Sequence, residues 1–133
     1  MSSRIPHLYV TSSPRGGRGV FTAAAIPAGS MIEICPVIVL SPDDLTHIHQ
    51  TRLHDYYFLW NEGDDPEEDG CAIALGFGSL YNHASNPNAD YEMDYENESI
   101  SFFALKEIAV GEEITINYTD GGDQKTALWF EEQ

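Results

Sequence analysis

Positive charge is the scarcest feature of this sequence. Its 133 residues contain six lysines and arginines against 22 aspartates and glutamates, which gives a formal net charge of −16. Nucleic-acid backbones are anionic and are bound mainly through lysine and arginine, so the charge balance argues strongly against nucleic acid as a direct partner. A field of this sign attracts basic ligands instead. Because acidic surfaces also serve solubility, a basic protein or peptide partner is permitted by the charge and not established by it.

Long apolar runs are also missing. No stretch approaches the roughly 20 residues that a helix needs to span a bilayer, so we expect no association with a membrane. The first six residues, Met1 to Pro6, lack the apolar core of a signal peptide. Their composition predicts an intracellular location.

Cysteine is scarce, and its spacing is uninformative for metal binding. Cys35 and Cys71 are far apart and do not form a C-x-x-C pair. We interpret them as small buried hydrophobic residues in a reducing compartment. An isolated disulfide between them is the alternative that the sequence leaves open.

Short runs of β-branched and aromatic residues alternate with turns that contain glycine or proline. The pattern is typical of one mainly β domain with several small sheets and little helix, and the chain is too short for two domains. Strands are predicted over residues 7–10, 31–40 with a break at Pro36, 71–75, 91–95, 99–105 and 113–118. The acidic segment 62–70 is predicted to be a solvated loop.

One helix is predicted, from Asp43 to about His54. Ser41 is a favourable N-cap, Pro42 is a favourable first residue, and acidic side chains occupy the first turn. Histidines two residues apart do not share a helix face, and no carboxylate stands at a supporting spacing. We therefore predict no metal site, although the segment contains His47, His49 and His54.

Two loops have compositions suited to binding. The first runs from Ser12 to Phe21 and contains Gly16, Gly17 and Gly19, whose freedom lets a backbone lie against a ligand. Its spacing does not fit G-x-G-x-x-G, and a strand follows it, so a dinucleotide site is a poor interpretation. The second loop covers residues 80–88, with Asn82 and His83 at a bend and a tight turn at 86–88. An ordinary hairpin and an ordinary polar loop are the alternatives.

These loops and a third segment occur in an order that resembles the SET domain of protein-lysine methyltransferases. The matching motifs are G-x-G at 17–19, N-H-x-x-x-P-N at 82–88, and G-E-E-I ending in the tyrosine of 111–118. The resemblance is closest to small stand-alone viral and bacterial members and covers about residues 8–118. It implies a single domain over 1–133 with several short curved sheets and a C-terminal pseudoknot. Residues 119–133 would form a tail over the cofactor or substrate site.

The resemblance implies methyl transfer from S-adenosyl-L-methionine to a lysine of a basic protein, such as a histone, a histone-like protein or a ribosomal protein. The glycine loop would lay its backbone along the methionine part, and the Asn-His pair would hold the amino and adenine ends. An indole face suits a flat base, so the tryptophan of the tail is our candidate lid over the adenine. The implied cofactor-binding residues are Gly17, Arg18, Gly19, Asn82, His83, Tyr118 and Trp129.

The acceptor lysine must be neutral when it attacks. Because a free lysine has a pKa near 10.4, presenting it neutral at pH 7 costs about 4–5 kcal/mol unless a dry channel favours the uncharged form. The resemblance implies Tyr118 as the catalytic residue, with its ring lining the channel and its hydroxyl near the methyl group. Tyr56 or Tyr57 would supply a second wall that packs on the lysine stem.

Two departures from the family pattern keep alternatives open. Residues 119–122 lack the aromatic side chain that the viral members carry after the strand tyrosine, so one channel wall is unidentified. The cysteine-rich zinc segment of larger members is absent, so residues 123–133 or a second copy of the chain would complete the groove. A monomer and a homodimer are both compatible with the sequence. A non-catalytic module that binds basic peptides is the alternative function, and the location would be cytoplasmic, or nuclear in a viral host or eukaryotic cell.

Overall fold

The computed structural model describes residues 3–61 and 70–117. Within these ranges the chain is mainly β, as predicted, with ten strands and three short helical segments. The strands are β1 (Ser3–Arg4), β2 (Leu8–Ser12), β3 (Arg18–Thr22), β4 (Met31–Leu40), β5 (Tyr57–Trp60), β6 (Gly70–Ala74), β7 (Asn82–His83), β8 (Ala89–Asp94), β9 (Ser99–Ala104) and β10 (Glu113–Ile116). The helical segments are α1 (Pro42–Ile48) and two 3₁₀ helices, Arg52–Asp55 and Gly78–Leu80.

The strands form two sheets. The larger sheet has the order β5-β6-β4-β9-β8, with β1 also paired to β4, and its neighbours are antiparallel. The smaller sheet has the order β2-β3-β10-β7. Its β10–β7 pair is parallel, which brings two segments about 30 residues apart in sequence side by side. This pairing agrees with the C-terminal pseudoknot that the resemblance implies. The rest of the pseudoknot would include Tyr118, which lies outside the described residues.

Strand β4 continues through Pro36, so the predicted break at this residue is wrong. The strand pairs with β9 from Met31 to Pro36 and with β6 from Val37 to Leu40. Pro36 therefore occupies the point at which one ladder ends and the other begins. A proline lacks a backbone N–H, and the end of a ladder is where that loss is tolerated.

Helix α1 begins as predicted but is shorter than predicted. The Ser41 hydroxyl accepts a hydrogen bond from the Asp44 N–H, and the Asp44 carboxylate accepts one from the Ser41 N–H, which forms a complete capping box. The helix ends at Ile48, with His49 as its C-cap. The Thr51 side chain then caps a separate 3₁₀ helix. Thr51 thus begins a second helical segment, which periodicity alone did not indicate.

Aromatic rings from three strands of the larger sheet pack together in the core. Phe58, Tyr91 and Phe102 contact one another edge to face or tilted, with ring centroids 5.2 to 6.2 Å apart. Tyr81 packs on Phe102 from the segment before β7, at 4.7 Å. Cys35 and Cys71 are both buried free thiols, which confirms their interpretation as small hydrophobic residues.

A buried carboxylate ties the N-terminal strand to the segment that precedes β7. Glu33 is fully buried and accepts hydrogen bonds from the Tyr81 hydroxyl at 2.7 Å and the Phe77 N–H at 3.1 Å. The Arg4 guanidinium pairs with the same carboxylate at 3.2 Å and lies over the Phe77 ring. Gly76, at a φ of 67°, lies so close to Glu33 that a side chain there would collide with the carboxylate. Glu33 is therefore a structural anchor for the turn that leads into β7.

Replacing Tyr81 with phenylalanine tests this anchor. The change removes one donor from a buried carboxylate and keeps the ring, so we expect a loss of about 1–3 kcal/mol in the free energy of unfolding. Urea denaturation measures the loss. Tyr9, which is 40% exposed, is the matched control, and Tyr9→Phe is expected to stay within about 0.5 kcal/mol of the parent. Equal stabilities of the Tyr81→Phe protein and the parent would contradict the anchor.

The thiols of the folded protein are expected to be unreactive. Burial, and then the Asp44 charge, raises the pKa of Cys71 to about 11, and burial together with Glu33 raises the pKa of Cys35. The reactive thiolate is therefore rare at pH 8, and we expect reaction with dithiobis(nitrobenzoate) at least about 100-fold slower than that of a free thiol. Both thiols should react at once in denaturant. Rapid reaction of even one cysteine thiol in the folded protein would contradict the burial of that thiol.

Candidate active site

Three motifs that are distant in sequence meet at the Asn82 side chain. Its Nδ2 donates hydrogen bonds to the backbone carbonyl of Arg18 at 3.0 Å and to the Glu113 carboxylate at 2.7 Å. Arg18 belongs to the glycine loop, Asn82 to the Asn-His segment, and Glu113 to the G-E-E segment. The three segments that the sequence analysis grouped by resemblance are therefore in direct contact.

Strand β10 brings these segments together, because it lies between β3 and β7. Its antiparallel register pairs Ile114 with Val20, and its parallel register pairs Thr115 with Asn82. Ile114 and Ile116 are fully buried, so the alternation of the strand turns its apolar side chains into the core. The side chain of Glu113 consequently lies on the opposite face.

Glu113 is a site residue that the sequence analysis did not single out. Its side chain is only 9% exposed, and its two oxygens share the Ser13 O–H, with Oγ at 2.8 and 3.0 Å. The Arg15 guanidinium lies 3.6 Å from the same carboxylate. In a chain with 22 acidic residues no single carboxylate stands out. The available signal was the alternation of Glu113 with buried isoleucines.

The surroundings of the glycine loop are uncrowded at Gly16 and Gly17 and tightly packed at Gly19. Gly16 and Gly17 have φ values of 113° and 62°, and a side chain at either position would meet no described atom within 4 Å. A Cβ at Gly19 would collide with the Glu113 carboxylate and lie 2.8 Å from Asn82 Nδ2. The first two glycines thus permit the turn, and the third permits a close approach.

Asn88 joins its loop to β10 through its side chain. The side-chain Oδ1 accepts from the Thr115 N–H at 2.9 Å, and its Nδ2 donates to the Glu113 carbonyl at 2.8 Å. Asn88 is 6% exposed. Its side-chain amide makes the two hydrogen bonds to β10 that the backbone of a neighbouring strand would make. The alternative of an ordinary polar loop is therefore wrong for Asn88, whose side chain bonds to β10. The Ala84 N–H also bonds to Ile116, so both ends of the 84–88 loop are tied to β10.

The other proposed site residues lie in different surroundings. His83 is half-buried in β7, opposite Ile116. Tyr56 is half-buried before β5, at the edge of the larger sheet, and the hydroxyl of the buried Tyr57 is 2.9 Å from His49 Nδ1. Burial, and then the proximity of Cys71, raises the pKa of Tyr57. Tyr118 and Trp129 lie outside the described residues.

The histidines and acidic residues do not form a second kind of site within the described ranges. In residues 3–61 and 70–117, no group of three or more histidine, cysteine, aspartate or glutamate side chains is placed to hold a metal ion. His49 instead contacts the rings of His54 and Tyr57. Across the same ranges, every helix is too short or too polar to cross a membrane.

Comparison with known proteins gives consistent matches. Residues 17–119 match the SET domain family. A histone-lysine N-methyltransferase from Schizosaccharomyces pombe, described as specific for H3 lysine-37, is 38% identical over 127 residues, which cover 95% of this chain and 78% of the relative.

Solved structures agree with these matches. A crystal structure of a Plasmodium falciparum protein, described as a candidate histone methyltransferase, has 29% identity and a TM-score of 0.63, and the match covers 84% of this chain and 92% of that chain. A chain of a humanized mutant Chaetomium thermophilum Polycomb Repressive Complex 2 has a TM-score of 0.71. That match covers 95% of this chain and 16% of the other, and at 21% identity it shows the fold alone.

The family match includes all three segments that meet at Asn82, and the fission-yeast relative agrees over nearly the whole chain. The chain therefore belongs to the SET domain family of protein-lysine methyltransferases.

Proposed function

We propose that the protein transfers a methyl group from S-adenosyl-L-methionine to a lysine side chain of a histone. The observation that carries the proposal is the contact of the glycine loop, the Asn-His segment and β10 around Asn82. The site combines accessible loop backbone, an oriented amide and a carboxylate. These groups can donate to and accept from the charged end of an amino acid.

The described residues fit the methionine part of this cofactor. That part carries an ammonium and a carboxylate: Asn82 Oδ1 would accept from the ammonium, and the Arg15 guanidinium, whose side chain is 47% exposed, would pair with the carboxylate. No described atom lies within 4 Å of the place where a Cβ at Gly16 or Gly17 would be. In this proposal Gly17, Arg18 and Gly19 contact the methionine part through backbone, and Asn82 and His83 hold the amino and adenine ends.

The bound cofactor supplies an electrophilic sulfonium methyl group. The protein must then hold the lysine amine in line with the C–S bond and keep it neutral. An apolar channel favours the uncharged amine because burial disfavours an ammonium. Proton release to water completes the reaction, so no residue of the chain has to act as a formal base.

Tyr118 is our proposed catalytic residue, because it ends the G-E-E segment whose strand borders Asn82. Its ring would line the channel, and its hydroxyl would orient the amine. Tyr56 or Tyr57 would form a second wall. Trp129 would cover the adenine, with residues 119–133 acting as a tail of the single domain that spans 1–133.

The proposed substrate follows from the relatives and from charge. The fission-yeast relative is named for a lysine of histone H3, and this chain is similar to it over 95% of its length. A protein with a net charge of −16 attracts a lysine- and arginine-rich tail over long range. A histone substrate is met inside the cell, so we also propose an intracellular site of action.

A methyl-transfer assay with a Tyr118→Phe variant tests this function. The parent protein, incubated with labelled S-adenosylmethionine and a panel of histones and other basic proteins, should label a lysine. The variant keeps the ring and loses the hydroxyl. Since a hydrogen bond contributes about 1.5 kcal/mol, we expect about a tenfold lower kcat.

Mass spectrometry of the products identifies the labelled residue and its methylation state. Tyr9→Phe is the matched control, because Tyr9 lies on the exposed β2 and its loss should leave kcat unchanged. Cofactor binding without transfer to any lysine of the panel would favour a non-catalytic module that binds basic peptides.

The cofactor role of Asn82 is tested separately by Asn82→Ala. The change removes the amide that bridges Arg18 and Glu113, so we expect the KM for S-adenosylmethionine to rise about tenfold or more. Isothermal titration of the cofactor measures the same loss without a protein substrate. Asn97→Ala, in the exposed hairpin between β8 and β9, is the control. Unchanged cofactor affinity in Asn82→Ala would remove Asn82 from the site.

A further inference from the structure

The side-chain amide of Asn82 has one favourable orientation. Nδ2 lies against the Arg18 carbonyl and the Glu113 carboxylate, both of which are acceptors only. Rotating the amide by half a turn would place its oxygen against these two oxygens and lose both hydrogen bonds. The two amide hydrogens are therefore committed to the protein, and Oδ1 is the atom left to accept from a ligand.

The Glu113 carboxylate is itself held in place. The Ser13 hydroxyl donates to both of its oxygens, and the Arg15 guanidinium lies 3.6 Å away. Ser13 Oγ in turn accepts from the Arg15 N–H at 3.0 Å, which links the turn of the glycine loop to the same group. A long flexible side chain thus becomes a fixed acceptor, because the Ser13 hydroxyl and the Arg15 guanidinium of the loop hold it against the Asn82 amide.

The absence of a side chain at Gly19 makes room for this carboxylate. A Cβ at that position would collide with Glu113 and approach Asn82 Nδ2 to 2.8 Å. Gly19 therefore serves the contact between Glu113 and Asn82. This role is separate from any contact between the loop backbone and a cofactor.

We propose that Glu113 is a positioning residue for the cofactor. It holds the Asn82 amide so that Oδ1 accepts from a ligand ammonium, and Ser13 and Arg15 hold Glu113. The proposal rests on the proposed function, since it assumes that Asn82 binds the amino end of S-adenosylmethionine. It adds a carboxylate, and the loop residues that hold it, to the parts of the site that determine cofactor affinity.

The proposal makes a specific statement about ligand selectivity. S-adenosylmethionine and its product S-adenosylhomocysteine share the ammonium and differ in the sulfonium charge. An oriented Oδ1 acts on the shared ammonium, so loss of Glu113 should weaken both ligands by the same factor. A carboxylate that acted directly on the sulfonium would weaken S-adenosylmethionine more.

The test compares Glu113→Ala with Glu113→Gln. Alanine removes the acceptor, and we expect the Kd values of both ligands to rise about tenfold. Glutamine keeps one acceptor oxygen for Asn82 and should restore most of the affinity. Ser13→Ala, which only loosens Glu113, should raise both Kd values about threefold. Glu107→Ala, an exposed carboxylate outside the site, is the matched control.

Nuclear magnetic resonance of the side-chain amides gives a second readout that needs no ligand. In the parent and in Glu113→Gln, the two Asn82 amide protons should have separate, slowly exchanging signals. In Glu113→Ala they should exchange faster and move towards the positions of a free asparagine. This measurement applies even to a protein that binds no cofactor.

Two results would overturn the positioning role. One is an unchanged Kd for both ligands together with unchanged Asn82 amide signals in Glu113→Ala. The other is a loss of affinity for S-adenosylmethionine alone, which would make Glu113 a direct electrostatic partner of the sulfonium. If the parent protein binds neither ligand, the proposed function fails, and the amide signals still decide whether Glu113 holds Asn82.

Discussion

The placement of β10 between β3 and β7 is the constraint on which the rest of the site depends. Parallel strands need a long connection, and here that connection is the β8–β9 hairpin together with the turn before Glu113. Ile114 and Ile116 bury one face of β10 in the core, and this fixes the register because a shift by one residue would expose them. The same register turns Glu113 towards the glycine loop and Asn82. Packing of two isoleucines therefore determines where a carboxylate lies in the site.

Two carboxylates hold the smaller sheet and the segment that precedes β7 in place. Glu33 is fully buried and joins Arg4, Phe77 and Tyr81, so it fixes the chain just before β7. Glu113 lies at the surface end of β10 and joins the glycine loop to Asn82. Desolvating a carboxylate is costly unless donors compensate it, and each of these has at least three hydrogen bonds or ion pairs. Both carboxylates thus join segments that are distant in sequence.

Much of the fold followed from local patterns. The strands β8 and β9, the capped start of α1 and the turns at 26–29 and 108–111 were predictable, because alternation, caps and turn residues act over a few neighbours. The two turns also pair with each other, through Ile26 and Ile108. The predictions were wrong where contacts with residues outside the local pattern determine the structure. Pro36 is tolerated because β4 changes partners there, and α1 is short because Thr51 begins a second helical segment.

The sequence by itself determined the class of fold, the order of the three motifs and the family to which they belong, since motif order and turn chemistry are properties of the chain. It also indicated Gly19, Arg18 and Asn82 as residues of one site. Only the tertiary structure decided that Asn88 is bound to β10 and that Glu113 contacts Asn82. The physical reason is that a side chain acquires its role from the donors and acceptors around it. Those neighbours come from segments whose distance in space is set by the pairing of strands.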